Sequence, residues 1–91
     1  MKYTVKFTKQ FKKDYKKAER QNKDVSILKE VVGMLANGEH LPEKYCDHIL
    51  TGNYKGKREC NLEPDWLLIY EYDGDELFLL LARIGSHSEL F

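Results

Sequence analysis

The sequence predicts a small α+β domain in which a hairpin of two helices packs on one face of a mostly antiparallel sheet. Three features support this class: an alternating segment at the start, two amphipathic stretches after it, and three strand-like segments in the second half. Their order along the chain is β-α-α-β-β-β. With 91 residues, of which 42% are hydrophobic, the chain fits one domain, 1–91, and its composition argues against disorder.

The first half of the chain predicts a strand followed by two helices. Residues 2–7 alternate between polar and apolar side chains, which is the period of a half-buried strand. Thr8 suits the N-cap of a first helix, because its hydroxyl can accept a hydrogen bond from a free backbone N–H. Asp24 suits the N-cap of a second helix, which Asn37-Gly38 is expected to end. Two helices joined by a short segment predict an antiparallel hairpin.

The second half of the chain is rich in segments typical of strands. Strands are expected at residues 54–62, 66–72 and 76–84, with a loop at 39–47 before them and a short tail at 85–91 after them. Asp73-Gly74 predicts a tight turn between the last two strands. Those two strands are apolar on both sides, so we expect them at the centre of the sheet. Because the hairpin can cover only one face, the other face is expected to be partly open to a ligand or a partner.

The charges are segregated along the chain although the net charge is zero. Residues 1–58 carry 14 Lys and Arg against 7 Asp and Glu, whereas residues 59–91 carry 1 against 8. A basic surface is typical of polyanion binding, and a lysine-rich helix with no role beyond solvation explains the same pattern equally well. The basic residues of the first helix are Lys9, Lys12, Lys13, Lys16, Lys17 and Arg20.

The sequence argues against several other classes of protein. No apolar segment approaches the roughly 18 residues that span a bilayer, and the first residues lack the apolar stretch of a secretory signal. We therefore expect a cytoplasmic protein with no membrane contact. Cys46 and Cys60 are expected to stay reduced, and their spacing makes a poor metal site. A nucleophilic Cys46 assisted by His48 is a weaker alternative.

Polar side chains that interrupt the strand-rich half are the candidates for chemistry. RNA cleavage without a metal needs a base for the attacking 2′-hydroxyl, an acid for the departing 5′-oxygen and cations for the phosphate charge. Histidine suits both proton transfers because its pKa lies near neutrality, and an aromatic ring can stack on a nucleobase. The chain offers such groups at His48, Arg58, Glu59, Asn61, Asp65, Arg83, His87 and Phe91.

Each candidate taken singly also has a purely structural explanation. A lone histidine in a loop or near a tail is more often a packing residue than a catalyst. Asp65 follows Pro64, so a turn alone would explain it. Arg58 and Arg83 could simply pair with nearby acids, and Phe91 could pack on the core. No single residue therefore identifies a function.

Three stretches of the sequence, taken together, are specific. They are DHILTG at 47–52, YKGKRECNLEPDWLLIY at 54–70 and RIGSHSELF at 83–91. In these stretches, and in the order and length of its helices, the chain resembles the YafQ branch of the RelE/ParE toxin superfamily. The resemblance implies a RelE-like fold and the toxin of a type II toxin–antitoxin system. Such a toxin is an endoribonuclease, or mRNA interferase, that cuts messenger RNA in the ribosomal A site.

The resemblance also implies a set of partners. These are the ribosome, its message and a cognate antitoxin of the RelB/DinJ type. The free toxin is expected to be a monomer, and its complex with the antitoxin a heterotetramer. No metal and no other cofactor is expected. The basic first helix would contact ribosomal RNA, whose phosphates attract lysine and arginine.

Roles for single residues follow from the resemblance by position. His48 and His87 look like the two acid–base histidines of the family. Asp65 looks like its essential aspartate, and Glu59 fills a position that is usually acidic. Phe91 looks like the C-terminal aromatic residue that supports the substrate.

Three further residues, Asn61, Arg58 and Arg83, are expected to bind the substrate. Relatives often have a histidine where this chain has Asn61, and an amide cannot titrate. We therefore expect Asn61 to position the substrate, while proton transfer falls to the two histidines and Asp65, with His87 as the acid. The alternative function is a non-enzymatic, ParE-like toxin that poisons DNA gyrase, which would not need this titratable set.

Overall fold

The computed structural model describes residues 2–91, and Met1, the first residue of the predicted domain 1–91, lies outside them. The elements are β1 (Thr4–Phe7), α1 (Lys9–Arg20), α2 (Val25–Ala36), β2 (His48–Ile49), β3 (Arg58–Glu63), β4 (Trp66–Asp73), β5 (Phe78–Gly85) and α3 (His87–Leu90). Short 3-10 helices cover Glu43–Tyr45 and Gly52–Tyr54. In the described part of the chain, no helix is both long enough and apolar enough to span a membrane.

The five strands form one sheet in the order β1-β5-β4-β3-β2. Strand β1 runs parallel to β5, and every other neighbouring pair is antiparallel. The two strands that are apolar on both sides, β4 and β5, lie inside the sheet, as their pattern predicts. The predicted α+β class is confirmed, and its sheet is mostly antiparallel.

Both predicted helix caps are present. The Thr8 hydroxyl accepts a hydrogen bond from the backbone N–H of Phe11 at 2.9 Å and donates one to the carbonyl of Ala82 at 2.7 Å. The Asp24 carboxylate accepts the backbone N–H of Ser26 at 3.0 Å. Thr8 therefore both starts α1 and ties that start to β5.

The core has a main cluster between the helices and one face of the sheet, and a smaller cluster on the opposite face. In the main cluster, the helices contribute Phe11, Ala18, Leu28, Val31, Leu35 and Ala36, which pack with Cys60, Trp66, Leu68, Tyr70, Leu79 and Leu81 of the sheet. The smaller cluster contains Leu67, Ile69, Ala82 and Leu90, with Leu50 and Tyr54 packed against it. We call the sheet surface of the smaller cluster the open face, because the hairpin does not cover it.

Three boundaries in the second half differ from prediction. The predicted strand 54–62 begins only at Arg58, because the chain first makes a 3-10 turn and passes Gly56 at a φ of 89°. The segment just after the predicted loop pairs with β3 as the two-residue strand β2. The predicted tail contains α3, whose capping box between Ser86 and Glu89 starts a helix at His87.

Candidate active site

The register of the sheet aligns several candidate residues in one row on the open face. His48 of β2 pairs with Glu59 of β3, Glu59 pairs with Ile69 of β4, and Ile69 pairs with Arg83 of β5. Directly opposed residues on neighbouring strands share a face. Asn61 belongs to the next row, opposite Leu67. The short strand β2 thus brings His48 to a carboxylate 11 positions further along the chain.

His48 and Glu59 form the first acid–histidine pair. The Nε2 atom of His48 lies 3.4 Å from Oε1 of Glu59, and its Nδ1 lies 2.6 Å from the carbonyl oxygen of Cys46. Because a carbonyl can only accept, Nδ1 carries a hydrogen, and Nε2 is the nitrogen that exchanges a proton with Glu59. The Glu59 side chain is 6% exposed, and its Oε2 is buried without a hydrogen-bond partner. Nε2 of His48 and Oε1 of Glu59 are therefore two acceptors that face each other at the edge of the open face.

His87 and Asp65 form the second acid–histidine pair. Oδ1 of Asp65 lies 2.9 Å from both the backbone nitrogen and the Nδ1 of His87. The backbone N–H first, and the ring second, lower the pKa of Asp65, so the carboxylate is ionised at neutral pH. An ionised partner fixes the hydrogen on Nδ1. This leaves Nε2 of His87 as the nitrogen that can exchange a proton with a substrate.

The short helix α3, which carries His87, is held by contacts from two other elements. The Tyr54 hydroxyl donates to the carbonyl of Leu90 at 2.9 Å, and Lys17 of α1 forms an ion pair with Glu89. This ion pair and the backbone N–H of Ser86 lower the pKa of Glu89 to about 2. The end of the chain is therefore anchored to α1 and to the segment before β3.

Phe91 stands beside His87 with an exposed ring. Its ring centroid lies 6.4 Å from that of His87 and 5.3 Å from that of Tyr54, which it meets edge to face. The residue is 61% exposed. An exposed aromatic ring held next to a histidine is suited to stacking on a nucleobase.

Arg83 is held rigidly by Asp14 of α1. Its Nε and Nη2 donate to the two carboxylate oxygens of Asp14 at 3.0 and 3.1 Å, and the backbone N–H of Ile84 donates to the same carboxylate at 3.1 Å. The hydrogen bonds that Arg83 donates to Asp14 raise the pKa of Arg83, with a smaller contribution from Tyr54. The guanidinium group is thus held in one orientation beside the open face before any substrate binds.

Arg58 lies on the face of the sheet that the hairpin covers. Its Nε and Nη2 lie 3.4 and 3.3 Å from the oxygens of Asp47, which also accepts the hydroxyl of Tyr70. The side chain of Glu59, the next residue, points to the open face, because neighbours on a strand alternate. The structure therefore does not bring Arg58 to the two acid–histidine pairs, and its substrate contact stays a prediction.

The two acid–histidine pairs border the open face from different strands. His48 lies on β2 and His87 follows β5, with β3 and β4 between them. Since neighbouring strands are about 4.8 Å apart, β2 and β5 are roughly 14 Å apart, so the histidines form two pairs and not one cluster. The weaker alternative of a Cys46 nucleophile has no geometric support, because its Sγ lies 4.0 Å from the carbonyl of Lys44, and the His48 ring contacts Cys46 at its carbonyl oxygen, not at its thiol.

The potential metal ligands of residues 2–91 do not come together in groups of three or more His, Cys, Asp or Glu side chains. The expected absence of a metal and of any other cofactor stays a prediction.

Comparison with known proteins identifies the family. The family model described as a bacterial toxin of a type II toxin–antitoxin system, YafQ, matches residues 3–91. The chain belongs to the YafQ toxin family. The mRNA interferase toxin YafQ of Escherichia coli K12 is 43% identical over 77 residues, which are 84% of this chain and 82% of that protein. The predicted branch of the superfamily is confirmed, and the name of this relative agrees with the prediction of an endoribonuclease.

Solved structures of similar toxins share the whole fold. A metal-bound toxin from Helicobacter pylori is 46% identical, with a TM-score of 0.93, and the match covers 98% of this chain and 99% of that one. YafQ in the E. coli DinJ–YafQ toxin–antitoxin complex is 37% identical, with a TM-score of 0.89, and covers 100% of this chain and 99% of its own.

Four residues that the candidate set omitted help to build the site. Asp47, Asp14, Tyr54 and Glu89 each fix a candidate residue or the helix that carries one. Glu89 had a local structural signal in the sequence, since Ser86 and Glu89 have the spacing of a capping box. The other three make contacts over 11 to 70 positions, which no local pattern reveals.

Proposed function

We propose that this protein is the toxin of a type II toxin–antitoxin system and an mRNA interferase that cleaves messenger RNA on the ribosome. The observation that carries this proposal is the Asp65–His87 pair, which presents one histidine nitrogen beside the exposed ring of Phe91. A protein that only bound a partner would not need an oriented proton carrier next to a stacking ring. The family match supports the same class of reaction.

In the proposed reaction, the 2′-hydroxyl oxygen attacks the adjacent phosphorus and the bond from phosphorus to the 5′-oxygen breaks. The products are a 2′,3′-cyclic phosphate and a free 5′-hydroxyl. His87 acts as the acid: its imidazolium form, oriented through Nδ1 by the Asp65 carboxylate, gives its Nε2 proton to the departing oxygen. Phe91 stacks on a nucleobase and aligns the phosphate with this nitrogen.

The His48–Glu59 pair acts as the base in the proposed reaction. Without a shared proton, Nε2 and Oε1 are two acceptors that face each other at 3.4 Å, one of them on a buried carboxylate. Taking the 2′-hydroxyl proton would place a donor between these two acceptors. The attacking and leaving oxygens belong to one phosphate, so this role requires the two imidazoles to reach towards each other across the open face, over β3 and β4, when the RNA binds.

Cationic groups would hold the RNA. Arg83 is already oriented by Asp14, so little freedom is lost when it meets the phosphate whose charge grows during the reaction. The six basic residues of α1 are all exposed, and five of them, all but Lys17, are proposed to contact ribosomal RNA. Lys17 is engaged with Glu89 and is proposed to act by holding α3.

A cleavage assay on programmed ribosomes tests this proposal. Purified protein is added to ribosomes that hold a defined message, and cuts are mapped by primer extension in EDTA-free buffer. We expect cuts inside the A-site codon, and a loss of at least about 100-fold in rate for Asp65→Asn and for His87→Asn. Glu63→Gln is the matched control, because it neutralises a carboxylate near Asp65 that lies outside both pairs, and it should cut at the wild-type rate.

Two results would overturn the proposal. One is wild-type cleavage by Asp65→Asn and His87→Asn together. The other is an intact message accompanied by gyrase-dependent DNA breaks, which would favour the ParE-like alternative.

The proposed partner that restrains this activity is an antitoxin. E. coli YafQ, which matches this chain over its full length, was crystallised with DinJ. An antitoxin of that type, expressed with this protein, should restore growth and co-purify with it. The mass of the purified complex then tests the predicted heterotetramer.

A further inference from the structure

We propose that Asp47 is a positioning residue for His48, which it orients from the opposite face of the sheet. This inference relies on the proposed function only where it gives His48 a role in cleavage. The positioning of the His48 ring is a property of the folded protein alone. An experiment can therefore contradict the positioning without contradicting the proposed function, and the reverse.

The carboxylate of Asp47 joins the segment before β2 to two other strands. One oxygen accepts the Tyr70 hydroxyl of β4, and both oxygens lie within 3.4 Å of the Arg58 guanidinium of β3. Tyr70 has no exposed surface, so this carboxylate provides the partner that its buried hydroxyl needs. The same contacts hold the pKa of Arg58 above its ordinary value.

Strand β2 needs such an anchor because its own pairing is minimal. It consists of His48 and Ile49 at the edge of the sheet, and both residues are exposed. One further backbone bond follows, from the Leu50 nitrogen to the Lys57 carbonyl at 2.8 Å. Short exposed edge strands open easily, because few bonds must break at once.

The anchor also bears on the state of the imidazole ring. Cys46 has a left-handed backbone, with φ of 49° and ψ of 44°, and its carbonyl oxygen receives Nδ1 of His48 at 2.6 Å. Non-glycine residues adopt this conformation only where the surroundings hold them in it. Asp47 lies between these two residues, so its fixed side chain keeps the Cys46 carbonyl in place to accept the ring hydrogen.

Anchoring on one face orients the side chain on the other. The Asp47 carboxylate contacts Arg58 and Tyr70 on the hairpin side, while the His48 ring contacts Glu59 on the open face. Neighbouring residues of an extended segment point in opposite directions. Rotation of the segment about its axis would release the Asp47 contacts and turn the imidazole away from Glu59 in one movement.

The test compares Asp47→Asn, Asp47→Ala and Tyr70→Phe with the wild type in two assays. The first is nitrogen NMR of the His48 ring in the free protein, which reports its tautomer and its titration. The second is ribosome-dependent cleavage, with kcat, KM and the pH profile measured separately. Asp73→Asn is the matched control, because that carboxylate also accepts hydrogen bonds, in its case from two backbone N–H groups, but lies at the β4–β5 turn.

We expect Asp47→Asn to fold, to lose the fixed Nδ1–H signal of His48 and to shift its titration. Its kcat should fall about 10- to 100-fold with KM nearly unchanged, since displacement of a catalytic group affects the chemical step more than binding. Tyr70→Phe leaves the contact between Asp47 and Arg58 in place, so it should show the same changes to a smaller extent. Asp47→Ala should have the largest effect, and Asp73→Asn none.

An unchanged His48 signal in Asp47→Asn and Tyr70→Phe would overturn the inference, even if both variants melted earlier, because Asp47 would then only stabilise the fold. If His48→Ala cleaved normally, the proposed role of His48 as base would fail. The NMR measurement would still decide whether Asp47 positions the ring.

Discussion

At the scale of single residues, carboxylates organise this site, and each holds one particular side chain in place. Asp65 holds His87, Glu59 meets His48, Asp14 holds Arg83 and Asp47 holds Arg58. They differ in burial: the Asp65 side chain is 67% exposed, whereas that of Asp14 is 9% exposed. The exposed pair is free to meet a substrate, and the buried one serves to orient its arginine.

Arg83→Lys should separate orientation from charge. Lysine keeps the positive charge but cannot donate two parallel hydrogen bonds to Asp14. We expect about 1–3 kcal/mol less stability, because a mostly buried carboxylate loses part of its hydrogen bonding. We also expect kcat for cleavage to fall about tenfold or more. Chemical denaturation and single-turnover cleavage measure the two effects, and a lysine variant with wild-type kcat would exclude a fixed guanidinium as the phosphate ligand.

At the scale of elements, the four-residue helix α3 begins at His87, is followed by Phe91 and depends on contacts from other elements. So short a helix is not stable by itself. Its capping box, the Tyr54 hydroxyl and the Lys17–Glu89 ion pair supply that support. We infer that the order of α3, and with it the position of His87, follows the charge on Glu89.

This inference predicts a pH dependence of α3. The pKa of Glu89 falls from its ordinary value of 4.5 to about 2 in the folded protein. A lowered carboxylate pKa adds stability that is complete above pH 4.5 and is lost as the pH falls towards 2. The protection of the Leu90 and Phe91 amides, taken relative to the intrinsic exchange rate at each pH, should therefore fall across this window. Glu89→Gln should show low protection at every pH, and protection that stays high in this variant would contradict the role of the ion pair.

At the scale of the whole molecule, the hairpin side carries an apolar groove bordered by lysines. The groove is a cavity of about 690 Å³ between β1, α1 and α2. Its apolar lining includes Val5, Phe7, Phe11, Tyr15, Leu28 and Val32, and its rim includes Lys12, Lys16 and Lys29. Phe7 is 51% exposed and stacks on Phe11. An apolar floor with a basic rim fits an amphipathic segment with acidic flanks, and we expect the antitoxin to supply it.

Phe7→Asp should weaken neutralisation and leave cleavage intact. The new carboxylate removes an apolar contact and repels an acidic partner, which together should lower antitoxin affinity at least tenfold. Leu77→Asp is the control, because Leu77 is another exposed apolar residue, in the β4–β5 turn outside the groove. Isothermal titration with the antitoxin and the ribosome assay measure the two properties. Equal affinity of the two variants would place the antitoxin elsewhere.

Much of the fold could be predicted from the sequence, because the patterns that specify it involve residues close together in the chain. Thr8 and Asp24 start helices through bonds to residues two or three positions away, and the two-sided apolar pattern of β4 and β5 reflects their central place. The family, too, followed from short stretches of sequence. The boundaries of β2, β3 and α3 did not, since a two-residue strand and a four-residue helix form only against the rest of the fold.

The sequence by itself determined the secondary structure of the first half, the class of fold, the family and the residues able to transfer protons. Only the tertiary structure decided which of those residues meet. Asp14 contacts Arg83 although 69 positions separate them in the chain. The pairing of β4 with β5 shifts by one residue between Ile69 and Tyr70, and this shift places Arg83 opposite Ile69. The physical reason is that strand register and the packing of α1 on the sheet select the pairs, and these depend on the whole chain at once.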